Sequence, residues 1–503
     1  MNGQGIKGNI WRRHRNIIDH GMILDISKSK LRQNRKAVIG LIVIATLSTL
    51  ALVIPSAAGW KISLALILTA IVLLSVYIAL SFELVHRAVI ALFGAAMIII
   101  IIVATGIIGA ADSFEFAINS VDFNTIGLLL GMMVIVAILA ETGIFQYIGI
   151  KLSKISRGRL YILLVLLGTF TGVSSMFIDN VTSVLLMVPV TISIFRILNV
   201  SPIPFILAQV LSSNVGGAAT LIGDPPNILI GSAANIDFNS FIINMGPAVA
   251  ISLAASLILL KLLFRKDLKV KPQHLHELMS RHEDVFIAEK KELLKKSLAV
   301  LFAVIVLFVI LGGLHVEPSL IALGGAGTLM LITRANPERV FHEVDWTTLI
   351  FFAVIFIIIG GAVEAGMIDI LLKGTLGITG GEPWTTFFMI IWVSAIASAF
   401  VDNIPFAATM IPLISTLSQN ESISAAFGGF AINPLWWALA LGAGFGGNGT
   451  LIGSSAGIIA VGLSEKQGYT ITFNRFLKVG FPFMILTTAI ASIVLAIGVL
   501  VSM

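Results

Sequence analysis

The 503-residue chain contains no cysteine. That excludes disulfides and thiolate-held metals, and it leaves the redox state of the compartment unread. Charge is scarce as well: Asp, Glu, Lys and Arg make up 12% of the residues, against 57% apolar residues and a mean hydropathy of +1.02. Such a composition excludes a soluble globular protein. Strict polar/apolar alternation is also lacking, which excludes membrane-spanning strands. What is present is a set of apolar runs at 37–55, 62–80, 88–110, 244–264, 297–314 and 477–501. Each is close to the roughly 20 residues that cross the hydrocarbon layer as helix. Trp60, Trp346, Trp384, Trp436 and Trp437 fall near expected span ends, where an interfacial aromatic belt sits; core positions would suit them equally.

The few charges are unevenly placed. Residues 1–36 hold nine Lys/Arg against two acids and lack a signal-peptide cleavage pattern, so they read as a retained cytoplasmic arm. Attraction to anionic lipid headgroups explains that arm, and nucleic-acid binding is not expected, because the net charge of +6 is mostly this one segment. With the N-terminus inside, the positive-inside rule puts Lys151, Lys154, Arg157, Arg159, Arg334, Arg339, Lys466, Arg475 and Lys478 in the cytoplasm. The charged linker 265–296, with nine Lys/Arg and six acids, joins them there, and the C-terminus lies outside. The chain then divides into the arm 1–36, a first membrane half 37–264 whose repeat starts near residue 61, the linker 265–296 and a second half 297–503.

The two halves repeat each other. Val121-Asp122 returns 223 residues later as Val344-Asp345, Glu141 as Glu364, Asp179-Asn180 as Asp402-Asn403 and Pro189 as Pro412. After a shift of seven, Gly216-Gly217 and Thr220 through Gly223 return as Gly446-Gly447 and Thr450 through Gly453. The matched positions are polar or Gly rather than apolar filler. Counted against the charges, the Glu141 span runs inward and the Glu364 span outward, so the duplication is inverted. Paired, polar-centred breaks in two halves point to a solute site near mid-bilayer.

Four breaks carry the candidate chemistry. Two are the pairs Asp179-Asn180, followed by Thr182, and Asp402-Asn403. An ionised Asp in mid-span costs a few kcal/mol unless compensated or protonated; the plainer alternative is that it caps the following helix. The third break is 214–227, with Asn214, Gly216, Gly217, Thr220, Gly223, Asp224 and Asn227. The fourth is 442–455, with Asn448, Gly449, Thr450, Gly453, Ser454 and Ser455. Gly, Pro and Asn at this density do not sustain a helix, so both spans are expected to unwind and expose backbone groups. Close packing through small residues would account for Gly442 and Gly444 without any ligand. Glu141 and Glu364 fit either a proton relay or an ordinary interfacial acid.

Other motifs fail on context. Residues 442–447 match the dinucleotide-binding spacing, but no strand surrounds them. The glycosylation sequons at Asn180 and Asn448 lie at membrane depth and should stay unmodified. His274, His276 and His282 sit in a charged loop without cysteine, and neither a metal nor a cofactor is expected.

The four motifs, in order, resemble the ion transporter superfamily, in the branch that holds ArsB-type arsenite permeases, NhaD-type sodium/proton antiporters and the P protein. The resemblance runs from about residue 60 to the end. It implies an all-α polytopic membrane protein with about eleven transmembrane helices and two oppositely oriented re-entrant helical hairpins in an inverted repeat. It also implies a scaffold, a moving transport region and a homodimer in the plasma membrane. Related dicarboxylate/sodium symporters carry Ser-Asn-Thr at the hairpin tips, where this chain carries Asp179-Asn180 and Asp402-Asn403. A serine cannot titrate and an aspartate can, which favours proton coupling.

The expected function is therefore proton-coupled efflux of arsenite or antimonite by alternating access, with Asp179 and Asp402 as proton carriers. The choice of solute rests on the resemblance. A sodium/proton antiporter, a P-protein-like ion transporter and a channel stay open as alternatives. An intramembrane aspartyl protease is the remote one, since the chain lacks a Gly-x-Gly-Asp stretch.

Overall fold

The computed structural model describes residues 63–82, 85–274, 276–277, 290–314 and 316–502. The basic arm, the run 37–55, Trp60 and His282 lie outside the described residues. Among the described residues the chain is helical and no strand occurs. In lipid each backbone N–H and C=O must find its partner within its own segment, and the apolar runs meet that demand as helices.

The first half contains α1 (Leu64–Ser81), α2 (Arg87–Ala104), α3 (Phe123–Ala140), α4 (Ile144–Ser156), α5 (Leu160–Ser175), α6 (Asn180–Ile197), α7 (Ile203–Gly217), α8 (Pro225–Ala234) and α9 (Phe238–Leu263). The second contains α10 (Lys291–Gly312), α11 (Pro318–Thr333), α12 (Trp346–Glu364), α13 (Met367–Thr379), α14 (Pro383–Phe400), α15 (Asn403–Ser418), α16 (Pro434–Gly446), α17 (Ser455–Lys466) and α18 (Phe473–Ser502). Shorter helices fill some of the connections.

Packing repeats between the halves. α5 crosses α7 as α14 crosses α16, and α2 lies on α12 as α11 lies on α3. α6 packs on α17 of the other half, and α8 on α15. α3 with α12, α7 with α16 and α9 with α18 meet across the pseudo-symmetry axis. α1–α3 and α10–α12 form one bundle, and the remaining long helices form the other.

Helices α5 and α6 are joined only by residues 176–179, and α14 and α15 only by Val401 and Asp402. Both turns contact the broken middles of spans, as described below, so each pair dips in and returns as a re-entrant hairpin. Among the described residues nine helices are long and apolar enough to cross a membrane, but two of them, α6 and α14, are hairpin arms. Conversely, α7 with α8 and α16 with α17 each cross as a broken pair, and α11 crosses with 16 residues. A 16-residue helix spans about 24 Å. The described crossings are thus α1, α2, α3, α7–α8, α9, α10, α11, α12, α16–α17 and α18; the expected span at 37–55 lies outside the described residues. Four of them separate α3 from α12, so these two related helices run in opposite directions.

The aromatic belt needs correction. Trp346 is exposed and Trp384 half-buried, but Trp436 and Trp437 are buried in the first turn of α16. Trp437 sits edge-on to Phe241 of α9, 5.1 Å between ring centres. The cause is that α16 packs on α7, α14 and α18 and reaches no lipid.

Candidate functional site

The two Asp residues open the returning arms of the hairpins. Asp179 accepts from the Thr182 amide at 2.9 Å and the Thr182 hydroxyl at 2.5 Å, capping α6. Asp402 accepts from the Ile404 amide at 3.1 Å, capping α15. Free amides at a helix N-terminus compensate a carboxylate, so part of the charge cost is met locally. Both side chains are half-buried, whereas the neighbouring Asn180 and Asn403 are buried.

Those asparagines tie the hairpin tips to the breaks. Asn180 donates to the Asn214 side-chain oxygen at 3.2 Å, and Ser454 donates to the same atom at 3.0 Å. Asn214 in turn donates to the Asn448 oxygen at 3.0 Å, leaving the buried Asn448 Nδ2 without a partner. Asn403 donates to both oxygens of Asp224, at 3.3 and 3.1 Å. The first tip therefore meets a neutral amide network, and the second meets a carboxylate.

Several other expected site residues shape the backbone. Thr220 donates to the Met176 carbonyl, and Thr450 to the Ala399 carbonyl at 2.5 Å, each fastening a break to the end of a hairpin arm. Asn227 donates to the Gly217 and Thr220 carbonyls at 3.2 and 2.9 Å, closing the first break on itself. Gly216 lies against the Gly172 backbone so closely that a Cβ would collide with its carbonyl. A Cβ on Gly446 would stand 2.5 Å from the Ala395 carbonyl. Close packing thus accounts for Gly216, Gly446 and Gly442 but not for Gly444, whose Cβ would meet Ala218 and the Asp224 carboxylate at ordinary contact distance. Gly223, Gly449 and Gly453 likewise let the breaks touch backbone or the hairpin arms.

A cation not anticipated from the sequence completes the site. Arg87, at the start of α2, donates to the Ser455 hydroxyl at 3.0 Å, and Ser455 donates to Asp402 at 2.8 Å. The other guanidinium nitrogen bonds the Thr348 hydroxyl at 2.5 Å and Asp345 at 3.3 Å. Asp345, the α12 cap outside the span, is opposed by burial, yet the Thr347 and Thr348 hydroxyls and Arg87 hold its carboxyl below the usual range. Arg87 lines two cavities, one of about 420 Å³ shared with Asp179, Thr182 and Asp345, and one of about 450 Å³ shared with Asp402 and Ser455. Its only warning in the sequence was a lone Arg at a span end, which reads as a positive-inside charge.

Glu141 lines the mouth of the 420 Å³ cavity and pairs with Arg339 at 3.2 Å. Glu364 is exposed at the end of α12. Neither is brought to the hairpin tips. His274 and His276 are exposed in the linker.

The citrate transporter family model (CitMHS) covers residues 77–442. The chain belongs to the citrate transporter family. This places it in the ion transporter superfamily, among membrane transporters. An uncharacterized transporter of Mycobacterium bovis is 38% identical over 424 residues, covering 84% of this chain and 96% of that protein. The P protein of Homo sapiens is 33% identical over 495 residues, covering 83% of this family member but 58% of the P protein. In structure the chain resembles the Alcanivorax borkumensis YdaH transporter, with a TM-score of 0.54 over 82% of this chain and 98% of that one. At 13% identity this likeness concerns the fold alone.

Proposed function

We propose that this transporter is a proton-coupled secondary carrier that exports arsenite or antimonite by alternating access. The solute is held between the two hairpin tips and the two breaks, and Asp179 and Asp402 exchange protons with the cavities they line. The observation that carries this reading is the meeting of both tips with both breaks in buried polar networks. A small neutral hydroxide needs hydrogen-bond donors and acceptors rather than charge. Asn180, Asn214, Asn448 and Ser454 offer both, and Asn448 Nδ2 is a donor to spare. Each proton moved inward would contribute about 2.3 kcal/mol per 100 mV of membrane potential.

Orientation follows from charge. The Arg339–Glu141 pair, the Lys290 bond to the Glu141 carbonyl at 2.7 Å and the Arg196–Gln467 bond at 2.7 Å gather basic side chains on one face. By the positive-inside rule that face is cytoplasmic. The C-terminus is then outside, and the 420 Å³ cavity opens inward in the plasma membrane. Assembly as a homodimer is part of the same proposal.

Arg87 favours a second reading, in which the solute carries a carboxylate or oxyanion, as the family's description suggests. A guanidinium reached from a cavity is a natural anion ligand. The test is a panel in proteoliposomes with an imposed pH gradient: arsenite, antimonite, citrate, sodium and lithium. Gradient-driven arsenite movement supports the first reading. Citrate movement without arsenite movement supports the second, and sodium-dependent proton flux without either would replace both with a sodium/proton antiporter.

A further inference from the structure

Three carboxylates stand near the hairpin tips, and they are compensated very unequally. Asp179 has an amide and a hydroxyl of its own helix, and Asp402 has an amide, Ser455 and, through it, Arg87. Asp224 is 1% exposed and receives side-chain amides only, chiefly Asn403 at 3.3 and 3.1 Å. Unlike the other two, it makes no side-chain cap to the helix it precedes, because Pro225 and Pro226 lack N–H groups and the Asn227 N–H bonds the Asp224 backbone carbonyl at 2.9 Å. The helices packed on α8 are α3, α15 and α16, and none carries a charged side chain along its length. The charged groups that act on Asp224 are Asp402 and Asp179, both acids. Arg87, the cation of the site, spends its bonds on Ser455, Thr348 and Asp345. The matching position in the second half is Ser454, so the inverted repeat does not require an acid here.

A buried carboxylate with neither a cation nor a cap cannot remain ionised cheaply between two other acids. We infer that Asp224 is the buried proton site of this transporter, carrying a proton in the present conformation. Asn403 reports its state to the second hairpin: its amide donates to the carboxylate, and loss of the proton strengthens that bond. Asp179 and Asp402, at the cavity edges, pass protons between Asp224 and water. The inference rests on the proton-coupled reading and adds the residue where the proton is kept.

Infrared difference spectroscopy of the purified protein between acidic and alkaline pH tests it without transport. The wild type should show the carbonyl stretch of a protonated carboxylic acid. That band should vanish in Asp224→Asn, which has the shape of the protonated acid, and in Asp224→Ser, which copies Ser454. A band kept in both variants, or one removed only by Asp179→Asn or Asp402→Asn, overturns the assignment. Removal of the band by sodium at constant pH would make Asp224 a cation site and also overturn it. In proteoliposomes, a one-unit pH gradient sustains about tenfold accumulation per coupled proton. The ratio of gradient-driven accumulation to solute exchange should fall by about that factor in Asp224→Asn. If the wild type moves none of the panel solutes, the proposed function fails while the infrared result still decides this inference.

Discussion

Arg87 is the residue on which the second hairpin's charge balance turns, because its fork bonds Ser455 on one nitrogen and Asp345 with Thr348 on the other. Arg87→Gln leaves Asp402 without a counter-charge and is expected to lower initial transport rates about tenfold, or about 1.4 kcal/mol. Arg87→Lys should recover little of that, since an ammonium cannot span both partners as a planar fork does. Vesicle flux assays on the two variants check this, and wild-type rates in Arg87→Gln would refute it. The amide chain makes a second case. Asn214→Ala strands the Ser454 hydroxyl and the Asn448 oxygen in a buried place and removes a partner of the Asn180 amide. A cost of roughly 1–3 kcal/mol per stranded group is typical, so the melting temperature of the detergent-solubilised protein should drop measurably.

Helices meet the site through small residues and prolines. α7 approaches α5 backbone to backbone at Gly216 and Gly172, and α16 approaches α14 at Gly446. A methyl group at Gly216 or Gly446 must push two helices apart, an overpacking cost of about 1–3 kcal/mol. Gly216→Ala and Gly446→Ala should each melt earlier than Gly324→Ala, a position whose Cβ would enter open space. Equal melting of all three would mean that the crossings are looser than described. Pro189 and Pro412 sit inside α6 and α15 and remove one helical hydrogen bond each. Such gaps are tolerated at membrane depth where the backbone faces protein or water.

The halves share a fold, but they do not take the same position, and that difference defines the state of the whole molecule. The second hairpin is held against the α1–α3 and α10–α12 bundle: Tyr77 of α1 donates to the Pro405 carbonyl at 2.8 Å and pairs with the Thr409 hydroxyl. The first hairpin presents Leu185 to the 420 Å³ cavity at 44% exposure, where its repeat partner Ala408 is 4% exposed. A two-state carrier built on an inverted repeat would exchange these roles in its other conformation. The absence of native cysteine makes this directly testable. Leu185→Cys should react readily with a water-soluble maleimide and Ala408→Cys slowly. Tyr77→Phe should raise labelling at Ala408→Cys by releasing the second hairpin; no change would show that Tyr77 does not hold that hairpin in place.

Much of this architecture was legible in the chain. The Asp-Asn pairs and the Gly-rich breaks were readable because polar residues inside apolar runs are costly wherever they are not needed. Asp179 and Asp402 both cap their helices locally, the plainer of the two roles their place in the sequence allows. Arg87 and Tyr77 were not legible, since one Arg at a span end and one Tyr within a span are ordinary in isolation. The partners of Arg87 lie 258 to 368 residues away, and those of Tyr77 lie 328 and 332 away. The burial of Trp436 and Trp437 was equally invisible, because span ends look alike whether lipid or protein faces them.

By itself the sequence determined the solvent, the helices, the duplication and the four places where helices break, because these depend on local hydropathy and on backbone chemistry. Only the tertiary structure decided which hairpin Tyr77 of α1 holds, that Arg87 balances Asp402, and that Asp224 is left among amides. Those outcomes depend on which distant groups come within hydrogen-bonding distance, and the range of such contacts exceeds any pattern along the chain.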